Sequence, residues 1–309
     1  MRHMTLALVV IVCFAAGAWL VSRWSVPAVG ARPAPEVAAI TPSQVDAFLA
    51  PYQAQLQAYA RPTLRVVLEE FPDDMPTASK VGGGAWWPAG EPAPVNAEGK
   101  PLVLLAQIDF AGMPPLPGYP TTGLLQFFIS TDDLYGASME GNYDDAERAT
   151  QRNFRIVYWP DTSVPSQVLP MAATDQDYLP HSPERPLRMR FVRADEALSS
   201  GDYRFERMLG GNAYATVEAF AERHQLPADD FFNEVHSRLS GHGHKVGGYP
   251  GFAQTDPRTG GDWELLFQLD TDQTLGLMWG DAGVGNFFIS PADLARADFS
   301  RVMYTWDCY

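Results

Sequence analysis

Two stretches of the sequence decide its fold: LLQFFISTDDL at residues 124–134 and VGNFFISPADL at residues 284–294. Each begins with an apolar run of the length of a buried strand. Each run ends at a serine, Ser130 or Ser290, that is followed three residues later by an aspartate. Serine at this place is a typical helix N-cap, and Pro291 occupies the first helical position of the second stretch. Both stretches therefore predict a core strand that leads into a helix start, and they lie 160 residues apart.

Two further blocks repeat in the same order. Lys-Val-Gly-Gly occurs at residues 80–83 and again at 245–248, an offset of 165. An apolar run that ends in Gln-x-Asp occurs at residues 106–109 and again at 267–270, an offset of 161. Blocks that recur in one order and almost in one register indicate an internal duplication.

The predicted fold class is therefore α+β. We expect an internally duplicated, β-rich domain with two pseudo-symmetric, sheet-containing repeats and a few peripheral helices. Repeat 1 is expected over about residues 63–200 and repeat 2 over about 201–309. The 26 prolines and 26 glycines lie mostly between short apolar runs, which favours many short strands. Because one half alone would leave a strand face uncovered, the two repeats are expected to cover each other.

Helical spacing of apolar residues appears in two places. Residues 43–59 predict an amphipathic helix that begins at a Thr41/Ser43 cap and is kinked by Pro51, with its apolar side docked on the core. Residues 213–239 predict two helices divided at Pro227. The strand-like runs are residues 63–68, 102–108, 124–129, 155–159, 188–192, 265–269, 276–279 and 286–289.

The N-terminal segment predicts membrane targeting. Residues 4–21 are uncharged and apolar, close to the ~20 residues that a membrane-spanning helix needs. Residues 1–27 are therefore either a transmembrane signal anchor or a cleaved signal peptide, and both alternatives stay open. Residues 28–42 are rich in alanine and proline, which predicts an extended linker before a domain at 43–309. The domain is expected to be exported, either anchored to the membrane or released into the periplasm.

Charge and cysteine content limit the partners. With 37 acidic and 22 basic residues, the formal charge of −15 disfavours nucleic acid and anionic lipid as partners of the domain. The membrane contact is therefore expected through the N-terminal segment only. The two cysteines, Cys13 and Cys308, leave the domain without an internal disulfide, and no Cys/His zinc spacing occurs. We expect no cofactor.

The candidate ligand-binding residues are glycine turns, aromatic residues and two acids. Glycine allows close backbone approach, and a flanking aromatic ring can recognise a ligand. These aromatic residues form either the lip of a groove between the repeats or plugs of the core, and both interpretations stay open. The candidates are Gly82, Gly83, Trp86, Trp87, Gly247, Gly248, Tyr249, Asp270 and Asp281.

Metal binding and catalysis have weaker support. His242 and His244 could share one face of a strand and hold a metal, but the third ligand would have to be Asp256 or Asp262. Histidines flanked by glycine in a loop are more often solvated, so no metal is expected. The acidic residues 140–147 are expected to form a solvated loop. No GxSxG, HExxH, P-loop or Rossmann motif is present.

These observations predict a non-enzymatic binding or protein-interaction domain displayed at the membrane, with an unknown protein or small ligand as partner. The alternative is a hydrolase-like enzyme with an unfamiliar site near Asp270, Asp281 and His244, since a carboxylate and an imidazole are able to exchange protons with a substrate.

The same blocks resemble the YwqG-like family, a bacterial domain of unknown function. The resemblance covers about residues 63–309, and the family's fold implies two β-rich repeats in an α+β domain. The family has no established activity, cofactor or catalytic residue, so the resemblance leaves the function open. The most specific pieces are KVGGGAWWP (80–88), PLVLLAQIDF (101–110), GLLQFFISTDDLYG (123–136), FRIVYWP (154–160), HKVGGYPGFAQTDPR (244–258), LLFQLDTD (265–272), MWGDAGVGNFFISPADL (278–294) and DFSRVMYTWDCY (298–309).

Overall fold

Antiparallel strands are the main regular elements of the domain, as the short apolar runs predict. The computed structural model describes residues 39–71, 75–138, 144–170 and 178–309, and residues 40–309 form one compact unit. The strands are β1 Arg61–Glu70, β2 Lys80–Val81, β3 Ala85–Pro88, β4 Val103–Asp109, β5 Leu124–Ile129, β6 Phe154–Trp159, β7 Ser166–Leu169, β8 Leu187–Glu196, β9 Lys245–Gly247, β10 Glu264–Asp270, β11 Val284–Ile289 and β12 Met303–Asp307.

Seven α-helices accompany the strands in the described residues. They are α1 Pro42–Leu49, α2 Gln53–Ala58, α3 Asp145–Arg148, α4 Tyr203–Met208, α5 Ala213–Arg223, α6 Ala228–Arg238 and α7 Pro291–Ala295. Thr41 is the N-cap of α1, a 3₁₀ turn that contains Pro51 separates α1 from α2, and Pro227 separates α5 from α6. The predicted helices and their breaks are confirmed.

The expected membrane segment at residues 4–21 and the linker up to residue 38 lie outside the described residues. Across residues 39–309, apart from the gaps named above, no helix is both long and apolar enough to span a bilayer. Part of the acidic stretch 140–147 also lies outside the described residues; within it, Asp144 is the N-cap of α3.

Ten strands form one sheet in the order β12-β11-β10-β9-β1-β8-β2-β4-β5-β6, and β3 pairs with β7 in a small second sheet. We call β2, β4, β5 and β6 the first wing and β9, β10, β11 and β12 the second wing. β1 and β8 pair with each other in the centre of the sheet. β1 hydrogen-bonds to β9 of the second wing, and β8 to β2 of the first wing. β1 thus borders the second wing although the chain continues from it into the first wing, and β8 borders the first wing although the chain continues from it towards the second.

The ten-stranded sheet is curled, so that its two wings pack against each other. The ring of Phe127 in the first wing lies 4.9 Å from that of Phe267 and 4.8 Å from that of Phe287, both in the second wing. Phe154 and Tyr304, on the two outermost strands, are 5.2 Å apart between ring centroids. One hydrophobic core thus lies between the wings, and all of these rings are buried.

A helical layer covers part of the outer face. Val45, Phe48 and Leu49 of α1 pack against Val217 of α5 and Phe231 of α6 in a separate core cluster. The apolar side of α1 therefore docks on the rest of the domain, as its spacing predicts.

Two local predictions are wrong. Residues 276–279 form no strand; a single bridge joins Leu277 to Asp272 in a tight hairpin loop. The helix start predicted at Ser130 is a turn, because the carboxylate of Asp132 accepts hydrogen bonds from the backbone N–H of Leu134 and of Gly136. At the matching place in the second wing, Ser290 caps α7 as predicted by accepting a hydrogen bond from Asp293 N–H at 3.1 Å.

Candidate functional site

A buried lysine begins the inner strand of each wing. Lys80 is paired with Gln107 and Lys245 with Gln268 across the strands, and both lysines are almost completely buried. The ammonium of Lys80 donates to the carbonyl of Gly84 at 2.8 Å, and that of Lys245 to the carbonyl of Tyr249 at 2.9 Å. Each lysine therefore closes the glycine turn that follows it. Sequence analysis singled out the glycines and missed the lysines, although the repeated Lys-Val-Gly-Gly block contains both.

Lys245 also forms an ion pair with Glu196 at the end of β8. Glu196 accepts a second hydrogen bond from the backbone N–H of Tyr249 at 2.8 Å. Burial lowers the pKa of Lys245, and the nearby carboxylate of Glu196 opposes that shift. This pair therefore ties the central strand β8 to the turn at Gly247 and Gly248.

The two glutamines hold the loops that precede the lysines. The side-chain amide of Gln107 donates to the carbonyls of Pro76 and Ala78 at 2.6 and 2.8 Å. That of Gln268 donates to the carbonyls of Gly241 and Gly243 at 2.9 and 2.7 Å. Both glutamines are fully buried, so these contacts stabilise the interior.

The predicted glycines and aromatic residues lie in the interior. Gly82, Gly83, Gly247 and Gly248 all have φ between 68° and 76°, and all four are buried. Trp86, Trp87 and Tyr249 are at most 4% exposed. Seven of the nine predicted ligand-binding residues therefore do not form the rim of an open groove, and the aromatic residues fit the alternative of core plugs.

Specific contacts explain that burial. The ring of Trp87 packs edge-on against Phe128 and Trp159. The hydroxyl of Tyr249 donates to the carbonyl of Tyr59 at 2.6 Å, which ties the helical layer to the second wing. A buried tyrosine needs such a hydrogen-bond partner.

The two predicted acids differ in environment. Asp270 is partly buried, and its carboxylate accepts hydrogen bonds from the backbone N–H groups of Gly243 at 2.6 Å and of Thr271 at 2.8 Å. The same carboxylate lies 3.6 Å from Nδ1 of His242. Burial opposes ionisation of Asp270, but the hydrogen bonds from His242 and Gly243 outweigh it and lower its pKa. Asp281 is exposed in the hairpin loop.

His244 has a structural hydrogen bond. Its Nδ1 accepts the backbone N–H of Asp270 at 3.0 Å, and burial lowers its pKa. Of the two acids considered as a third metal ligand, Asp256 is paired with Arg258, and Asp262 is exposed. Within the described residues, no group of three His, Cys, Asp or Glu side chains is placed to hold a metal ion.

An open sheet face lies between the covered wings. In β4, β5, β10 and β11 almost every residue is buried, so both faces of those strands are covered. In β1 and β8 the burial alternates, which means that one face is exposed. Paired residues of neighbouring strands share a face, so the exposed side chains come from three cross-strand pairs. We call this surface the central ribbon; the pairs are Arg65 with Val192, Val67 with Arg190, and Glu69 with Arg188.

A cleft of about 500 Å³ adjoins the central ribbon. One wall is formed by Arg65 and Val67 of β1, and another by residues 240–245 with Glu196. Sequence analysis did not identify this surface. The signal for it was the alternation of arginine with apolar residues in LRMRFV at 187–192, which is typical of a half-buried strand.

The fold and the site together define an α+β domain with a large curled sheet, whose candidate binding surface is a two-stranded ribbon. Residues 79–308 match the model of a family described as a domain of unknown function, DUF1963, for which YwqG-like is the family name. The chain belongs to this family, and the expected resemblance is confirmed over that range. The match begins after β1. No curated protein matches the sequence.

Proposed function

We propose that this protein is a non-enzymatic binding module whose binding surface is the central ribbon together with the adjoining cleft. The observation that carries the proposal is the open face of β1 and β8, in a sheet whose strands β4, β5, β10 and β11 are covered on both sides. Val67 and Val192 are 38% and 40% exposed there, side by side with arginines. A sheet face that mixes apolar and basic side chains suits contact with another molecule.

The enzyme alternative near Asp270, Asp281 and His244 has less support. The carboxylate of Asp270 is occupied by backbone N–H groups, and Nδ1 of His244 is occupied by the N–H of Asp270. Asp281 is exposed on a loop, and none of the described hydrogen bonds joins its side chain to the other two residues. The described hydrogen bonds therefore do not arrange these three side chains around one substrate position, which the enzyme alternative would need.

The proposal includes the internal duplication. The matching lysine and glutamine contacts, and a register shift at the same place in β4 and in β10, support descent of the two wings from one unit. It also includes display at the membrane through residues 4–21, supported by their uncharged, apolar sequence.

The test is affinity capture with the tagged full-length chain, after mild cross-linking in the cells that produce it. The informative variant is Val67→Asp/Val192→Asp, which puts two carboxylates on the central ribbon. The matched control is Val95→Asp/Val168→Asp, because these valines are 41% and 51% exposed elsewhere. We expect the wild type and the control to recover the same partner and the ribbon variant to lose it. Equal recovery by all three proteins would refute the proposed surface.

A further inference from the structure

We infer that the central ribbon and its cleft bind an extended acidic segment of a partner protein. This inference rests on the proposed function, and it adds the chemistry of the partner.

The ribbon is basic in a strongly acidic protein. It carries three arginines and one glutamate, whereas the whole chain has a formal charge of −15. Glu69 is paired with Arg190 at 3.0 Å, so its charge is already offset. Arg65 forms no ion pair with any described residue, and the guanidinium of Arg188 lies 4.3 Å from the centre of the Phe71 ring. Two arginines therefore remain available to an incoming carboxylate.

The spacing of the ribbon suits an extended chain. The two available arginines, Arg65 and Arg188, lie four strand positions apart, since Arg65 is paired with Val192, and this corresponds to about 13 Å along the ribbon. Carboxylates four residues apart in an extended segment lie on one face with the same separation of about 13 Å. A small apolar side chain midway between them, on the same face, would contact Val67.

Long-range charge favours a short segment over a nucleic acid or a membrane. A nucleic acid or an anionic bilayer brings many charges near the whole protein, which repels them. A short segment in the cleft interacts mainly with charges within the Debye length, about 8 Å at physiological salt. On the ribbon itself three arginines face one glutamate, which Arg190 already pairs.

The test measures fluorescence anisotropy of a labelled peptide of about ten residues, in which glutamate and valine alternate on one face of the extended chain and serine fills the positions between them, added to the full-length chain in neutral detergent. We expect saturable binding that weakens about tenfold between roughly 50 and 300 mM salt. Arg65→Glu/Arg188→Glu should weaken it by about tenfold or more, since attraction becomes repulsion at two contacts. The control Arg223→Glu/Arg301→Glu changes the net charge equally at exposed sites away from the ribbon and should bind within about twofold of the wild type.

Three results would overturn the inference: equal binding of a matched peptide with lysine in place of glutamate, an equal loss in both charge variants, or preference for a single-stranded oligonucleotide or for anionic vesicles. The capture experiment separates this failure from that of the proposed function. If Val67→Asp/Val192→Asp loses the cellular partner while Arg65→Glu/Arg188→Glu retains it, the ribbon is a binding surface for a partner that is not acidic. If both retain it, the proposed surface fails as well.

Discussion

Ser79 and His244 accept equivalent hydrogen bonds at matching positions of the two wings. The hydroxyl of Ser79 accepts the backbone N–H of Asp109 at 2.9 Å, and Nδ1 of His244 accepts the backbone N–H of Asp270 at 3.0 Å. Ser79 and His244 are the residues immediately before the two buried lysines. The position thus needs an acceptor and does not need an imidazole. His244 therefore carries its proton on Nε2.

Replacing His244 by the residue of the other wing tests that role. We expect His244→Ser to retain the acceptor and to change the free energy of unfolding by less than about 1 kcal/mol. His244→Leu leaves the N–H of Asp270 without a partner and should cost about 1–3 kcal/mol. Urea denaturation followed by circular dichroism measures both. If serine proves as damaging as leucine, the shared role is wrong.

The glutamine contacts predict that substitution of Gln107 and of Gln268 destabilises the protein to a similar degree. Gln268→Leu removes the donor to the carbonyls of Gly241 and Gly243 and the acceptor of the buried Gly251 N–H. Gln107→Leu removes the donor to two loop carbonyls and the acceptor of the buried Gln126 amide. Each should reduce the free energy of unfolding by about 2–4 kcal/mol. Gln57→Leu, at an exposed position of α2, is the control and should stay within about 0.5 kcal/mol. A loss in only one of the two wings would contradict their equivalence.

Gly248 should not tolerate a side chain. A Cβ atom there would lie 2.0 Å from Oε2 of Glu196 and 2.9 Å from Oγ1 of Thr63, at a φ of +76°. Gly248→Ala should therefore cost more than about 3 kcal/mol, because Glu196 must move away from Lys245 and from the N–H of Tyr249. Gly276 has a similar φ of +74° with open space around it. Gly276→Ala should cost only about 1 kcal/mol in a thermal melt, and equal shifts in the two melting temperatures would refute the steric explanation.

Substitutions of Lys245 and Glu196 should have coupled, non-additive effects on the free energy of unfolding. Glu196→Gln leaves a buried ammonium without a counter-charge and should cost about 2–4 kcal/mol. Lys245→Met should cost less, because the carboxylate that it leaves is 19% exposed. The double variant should be more stable than the sum of the two losses predicts, by about 1–3 kcal/mol. Additive losses in a double-mutant cycle would show that the pair is not a unit.

His181 makes stability depend on pH. Within the described residues no hydrogen bond of normal geometry reaches either ring nitrogen; burial lowers the pKa of His181 to about 4, and a weak contact with the backbone of Leu104 opposes that shift only in part. The unfolded chain, with a pKa of about 6.5, binds a proton more readily than the folded protein does. The stabilising effect of neutral His181 is therefore fully present above pH 6.5 and is lost as the pH falls towards 4, a change of up to about 3 kcal/mol.

The comparison variant is His181→Leu, which has no proton to bind. Denaturation curves between about pH 7 and pH 4.5 should show a smaller loss of stability in the variant than in the wild type. Parallel curves would mean that His181 is hydrated or paired in the folded protein.

The repeated blocks were sufficient to predict β4, β5, β10 and β11, but not β12 or the short strands β2 and β9. Gln107 and Gln268 recur at a fixed distance because each must reach a loop carbonyl from the same strand position. The aromatic residues were harder to interpret. A tryptophan beside a glycine turn has the same sequence pattern whether it faces solvent or fills the core. The small β3–β7 sheet that contains Trp86 and Trp87 also has little periodicity.

The central ribbon was missed for a topological reason. Arg65 precedes Lys80 by 15 residues, whereas Arg188 precedes Lys245 by 57 residues. The second interval is longer because α4, α5 and α6 lie between β8 and β9. No constant offset therefore marks β1 and β8 as equivalents. Their pairing partners also depend on contacts between distant parts of the chain, which a local pattern does not encode.

The crossing of β1 and β8 has a consequence for synthesis on the ribosome. β1 leaves the exit tunnel early, yet the strand beside which it finally lies, β9, is translated only after α6. The edge of β1 that pairs with β9 therefore has no partner strand until most of the chain has been synthesised. During that delay β1 presents unpaired backbone groups to any other nascent chain. A chaperone bound to β1, or slow elongation through residues 197–244, would therefore change the yield of native protein without changing its final stability.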